Sequence, residues 1–115
     1  MSLKDKIKNA EDLRAETITI DEWDVTLEVR AFSARKRLEL GRLATDSSGQ
    51  ENSIEFVARL LKESIYDPET HDPVFTDDDV GWLMDKSGAV LDRLTLKAME
   101  VNGLDKASVR DAEKN

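Results

Sequence analysis

Polar and apolar positions change period along this chain, and each change predicts an element. Ile18 and Ile20 alternate with Thr17 and Thr19, and Trp23, Val25, Leu27 and Val29 alternate with Asp24, Thr26, Glu28 and Arg30. Strict period two with β-branched neighbours predicts half-buried strands. Polar Asp21-Glu22 separates the two runs, so an antiparallel hairpin is the economical pairing. Ahead of it, Ser2 with Asp5 three residues on predicts a short capped helix from Leu3 to about Asn9, with Leu3 and Ile7 on one face.

After Phe32 the period becomes helical. Ser33 is the expected N-cap of a helix over Ala34 to Ala44, whose apolar residues are Leu38, Leu40 and Leu43. Thr45 to Gln50 reads as a polar loop. Asn52 with Glu55 resembles a capping box, and Ile54, Val57, Ala58, Leu61 and Ile65 then form an amphipathic stripe. Tyr66 to Phe75 holds both prolines, Pro68 and Pro73, and reads as a compact turn. Thr76 with Asp79 opens a short helix through Val80, Leu83 and Met84, broken at Ser87-Gly88. A last helix is predicted from about Ala89 to Asn102, with Leu91, Leu94, Ala98 and Val101 as its stripe and Gly103 as its C′ residue. The expected fold class is α+β and mainly helical, a β-hairpin packed against a small bundle of four to five helices. Residues 1–103 form the expected single domain, and 104–115 an expected mobile, charged C-terminal tail.

Composition narrows the chemistry. The chain has 115 residues and no cysteine, which excludes disulfides, thiolate catalysis and cysteine zinc sites. A single histidine, His71, excludes a site needing two imidazoles and reads as an exposed loop residue rather than a base. The acids at 67, 69, 72, 77, 78 and 79 lack the glycine of a calcium loop, so they read as turn formers and helix N-terminal acids. The five glycines are widely spaced and build no phosphate or dinucleotide loop. No enzyme, cofactor or metal site is expected. No apolar run approaches the roughly 20 residues of a membrane span, and the first residues contain no apolar signal core, so the expected place of action is the cytoplasm.

The net charge of −8 argues against nucleic acid and anionic membranes as partners. Its distribution says more. Seven acids and no base lie between Tyr66 and Asp85, whereas five bases face one acid between Arg30 and Arg42. Separated poles can steer a charged partner or stack on another copy head to tail. Candidate partner-binding residues are therefore Arg35, Lys36 and Arg37, with the apolar group Trp82, Leu83 and Met84. Trp23 continues the inward alternation and reads as core or core edge.

The order of these pieces resembles a known family. A short charged N-terminal helix leads through Ile18-Thr-Ile-Asp-Glu-Trp23-Asp-Val-Thr-Leu-Glu-Val-Arg30 to Phe32-Ser-Ala-Arg-Lys-Arg37. An amphipathic helix then closes in Tyr66-Asp67-Pro68, followed by Pro73-Val-Phe-Thr-Asp-Asp-Asp-Val80 and, at the end, Asn102-Gly103-Leu104 and a charged tail. Over nearly its whole length this resembles the tail assembly chaperones of long-tailed bacteriophages and prophages. Asp67-Pro68-Glu69 departs from the glycine-containing turn expected of that family. The resemblance implies a non-catalytic protein that coats the helical, aggregation-prone tape measure protein, helps recruit tail tube subunits, acts in the host cytoplasm and is absent from the mature virion. It also implies a longer form made by ribosomal frameshifting. Glu113-Lys114-Asn115 can be encoded GAA-AAA-AAC, which contains a slippery heptamer. Competing readings are a head–tail adaptor or small regulatory subunit, a metal-using enzyme subunit and an acidic mimic of DNA.

Overall fold

A computed structural model describes residues 2–45 and 50–104, with side chains described outside 43–53. Helix α1 spans Leu3–Asn9, strand β1 Ala15–Ile20, strand β2 Val25–Arg30, helix α2 Ala34–Thr45 and helix α3 Gln50–Ser64. Strand β3, Ile65–Tyr66, follows directly, then helix α4, Val80–Leu83, and helix α5, Gly88–Val101. The fold is α+β and mainly helical, as the periodicity predicts.

The two strands pair as the expected antiparallel hairpin, in a register that sets Ile18 opposite Leu27 and Glu16 opposite Val29. Its connection differs. Trp23 is not in the strand: Asp21–Trp23 form a 3-10 turn, and Asp24 takes a left-handed conformation at φ 52°. A short polar side chain tolerates that conformation, and the second strand begins at Val25, two residues after Trp23.

The larger correction is a third strand. The helical stripe extends by spacing to Ile65, but α3 stops at Ser64, and Ile65 and Tyr66 pair antiparallel with Val29 and Glu28. Pro68 disfavours helix at the residue before it, and β-branched Ile65 fits a pleated, buried position. Ser64 is fully buried, and its hydroxyl donates back to the Leu60 carbonyl at 2.6 Å, which satisfies it inside the core. Helix α3 also begins earlier than the Asn52 box suggests, at Gln50. The rest of the predicted polar loop, 46–49, the Leu43 side chain and the tail from 105 lie outside the described residues.

One face of the sheet meets α3 and α5. Ile20, Val29, Leu61, Ile65, Val90, Leu94 and Ala98 have no exposed surface, and Leu27, Phe32, Leu40, Leu60, Phe75, Leu83, Leu91 and Val101 belong to the same core. The other sheet face is polar: Thr19 and Thr26 hydroxyls meet at 3.1 Å, and the Arg30 guanidinium lies 4.2 Å above the Tyr66 ring. Helix α5 ends as predicted. Gly103 has φ 69°, its N–H reaches the Glu100 carbonyl, and the Leu104 N–H reaches that of Met99 at 2.7 Å, the paired bonds of a Schellman end.

Asn102 was legible only as a helix end. It is buried, its side-chain oxygen accepts from the Phe32 N–H at 2.7 Å, and its amide donates to the Ala98 carbonyl at 2.8 Å. This one side chain ties the β2–α2 connection to the end of α5 and thereby sets where α2 leaves the sheet.

Candidate partner-binding surfaces

The basic group sits on the first turn of α2. Ser33 caps it, accepting from the Lys36 N–H at 3.3 Å. That turn contains no acid, although a helix N-terminus favours negative charge and disfavours cations. Lys36 is tethered to Glu63 at 3.5 Å and Glu39 at 3.8 Å. Arg35 and Arg37 are exposed and make no ion pair among the described residues. Arg37 borders an open apolar groove of about 750 Å³, walled by Phe32, Leu38, Leu40, Phe56, Leu60, Met99 and Leu104. Leu38 is 75% exposed on its lip.

The second predicted group belongs to a different groove. Asp79 closes the box that opens α4: its carboxylate accepts from the Thr76 N–H at 2.8 Å, from the Thr76 hydroxyl at 3.1 Å and from the Trp82 indole N–H at 3.0 Å. The Thr76 N–H first, and then the indole, hold the Asp79 carboxyl below its ordinary value. These bonds orient Trp82, which stands edge-on to Phe75 with ring centroids 6.0 Å apart, and leave it 49% exposed. Trp82, Trp23, Val25, Leu27, Val74, Phe75 and Lys86 line a groove of about 360 Å³. Trp23 is half-buried, a groove wall as well as a core edge.

Leu83 is a correction. It is 1% exposed and part of the core, so it supports Trp82 and half-buried Met84 from beneath instead of presenting itself. A four-residue helix is too short for its periodicity to tell the inward residue from the outward one. The acid-rich turn is committed to structure. Asp67 accepts from the N–H groups of Glu69 and Thr70, and His71 is held at φ 64°, a left-handed conformation that glycine adopts more easily. His71 is exposed, its Nδ1 3.5 Å from Glu28. Among the described residues no cluster of three or more acidic or histidine side chains is placed to hold a metal ion.

The described residues thus carry two apolar grooves, one bordered by Arg37 and one lined by Lys86 and by Trp82, whose indole N–H bonds Asp79. Residues 2–115 match the family model described as phage tail assembly chaperone. The chain belongs to the phage tail assembly chaperone family. Among solved structures, the bacteriophage HK97 tail assembly chaperone has a similar fold, with a TM-score of 0.61 at 20% identity over 85% of this chain and 91% of that one. No curated protein matches the chain significantly. The family is non-catalytic, its partners are phage tail proteins, and it acts in the host cell during assembly. No helix among the described residues is long and apolar enough to cross a membrane.

Proposed function

We propose that this chaperone coats the tape measure protein during tail morphogenesis, helps bring tail tube subunits to it and leaves before the virion matures, all in the host cytoplasm. The single observation that supports this most is the pair of open apolar grooves in a non-catalytic tail chaperone. Grooves of this kind receive the apolar stripe of an amphipathic helix. Arg35, Lys36 and Arg37 form the pole that meets acidic residues of the client or of the next copy. Their placement where the helix dipole opposes cations favours a role in binding over one in stability. Trp82 and Met84, seated on Leu83, form the apolar contact of the second groove. Copies associate head to tail along the client, and a frameshifted longer form carries a further segment beyond Lys114.

The test is co-purification of the cognate tape measure protein with the tagged full chain. Wild type should capture it, R35E/K36E/R37E should capture several-fold less, and W82A should weaken capture as well. Equal capture by wild type and both variants would refute these sites. No capture by wild type would refute the client.

A further inference from the structure

The chain leaves helix α5 inside the larger groove. Leu104, whose N–H bonds the Met99 carbonyl, forms part of the groove wall together with Met99 itself. Eleven residues, 105–115, follow it in the sequence. They start from within an apolar cavity of about 750 Å³ whose lip, Leu38, is 75% exposed.

The order of those residues has a period of two. Every acid stands at an odd position, Asp105, Asp111 and Glu113, and every base at an even one, Lys106, Arg110 and Lys114. Ala107 and Val109 are also at odd positions. In an extended chain successive side chains point to opposite sides. One side then carries Ala107 and Val109 followed by Asp111 and Glu113, and the other carries all three bases. A helical period loses this sorting, because Glu113 returns after two turns to the face of Lys106.

The groove offers the matching chemistry. Phe32, Leu40, Phe56 and Leu60 give it an apolar floor, and its border carries Arg37, exposed and without an ion pair among the described residues. The distances fit. The bond from the Phe32 N–H to Asn102 sets Phe32 beside the point where the chain leaves α5. Arg37 is five residues beyond Phe32, so its backbone is at most about 18 Å further on. Leu104 to Asp111 spans seven residues, up to about 25 Å when extended, which reaches Arg37 with slack. A segment tethered this closely acts at an effective concentration on the order of millimolar, so a weak contact is enough to fill the groove.

We propose that residues 105–113 lie extended in the Leu38 groove of their own chain, with Ala107 and Val109 on its apolar floor and Asp111 at the Arg37 guanidinium, and that a client enters by displacing them. Arg37 then passes from Asp111 to an acid of the client, so the exchange leaves no cation without a partner. The gate rests on the client-coating reading for its purpose, whereas the contact itself can be tested without a client.

The experiment is nuclear magnetic resonance of the isotope-labelled full chain. In wild type the amides of 105–113 should have order parameters near the 0.85 of rigid backbone, and the Val109 methyl groups should show Overhauser contacts to Leu38 and Phe56. V109D, which sets a charge on the apolar floor, and R37E, which sets acid against acid, should each lose those contacts and drop the segment below about 0.6 while the signals of α3 and α5 stay in place. R37E/D111R, which exchanges the two charges, should restore both. Order parameters below about 0.6 across 105–113 in wild type would overturn the proposal. So would Val109 contacts that arise only between differently labelled copies, or an R37E/D111R chain as loose as R37E. Co-purification then tests the gate: V109D should capture several-fold more tape measure protein than wild type, and equal capture would overturn it. Failure of both chains to capture any would count against the client and not against the contact.

Discussion

Replacing Asn102 with alanine removes both bonds of its side chain, but the two losses are unequal. The Ala98 carbonyl still accepts from the backbone N–H of residue 102 at 3.2 Å, so it is not orphaned. The Phe32 N–H has the Asn102 oxygen as its partner at 2.7 Å, inside the fold, and would be left unmet. A buried donor without an acceptor costs about 1–3 kcal/mol. N102A should therefore lose about that much in urea unfolding, with an unchanged m-value. At roughly 4–8 °C per kcal/mol for a domain near this size, the melting temperature should fall on the order of 10 °C. N102D separates the two halves of the argument. It keeps an acceptor for Phe32 but sets a carboxylate oxygen against the Ala98 carbonyl at the negative end of α5. That environment raises the folded-state pKa of the new acid. Its penalty should then be small below the unfolded value of about 4 and grow as pH rises through the folded value. An N102A variant within about 0.5 kcal/mol of wild type would refute the reasoning, since that is the ordinary scatter of surface substitutions.

Leu94 is fully buried between the sheet and α3, and L94A should cost about 2–5 kcal/mol in the same assay. Gly103 at φ 69° closes α5, so G103A should cost about 1 kcal/mol although a Cβ there would meet nothing. Asp79 should titrate below its ordinary value of 3.8, visible as a change in Trp82 fluorescence that D79N abolishes. Because the folded value is depressed, its contribution is present above the unfolded value and is lost as pH falls through the folded one. R35E/K36E/R37E should unfold within about 1 kcal/mol of wild type, because the one tethered residue, Lys36, makes only long pairs, with exposed Glu39 and half-buried Glu63, that contribute little.

How much of this was readable in advance depended on how local each signal is. The Ser2 cap, the antiparallel hairpin, the Thr76–Asp79 box and the Gly103 end depend on residues a few positions apart, and all appear where the spacing puts them. Strand β3 did not, because Ile65 satisfies a helical stripe equally well and only its pairing with Val29 settles its state. The Asn102 bond to Phe32 spans 70 residues and leaves no periodic trace. The candidate surfaces followed the same division. The cations of α2 could be named from composition, but the groove beside Leu38 exists only because α2, α3 and the end of α5 converge. Trp82 and Leu83 are neighbours in sequence, and the fold alone decides that the first faces out and the second in.

The most direct measurement is the yield of soluble, full-length cognate tape measure protein expressed with and without this chain. The account predicts that the client aggregates alone and stays soluble in a stoichiometric complex when the chaperone is present. A client equally soluble, or equally insoluble, in both cases would contradict it.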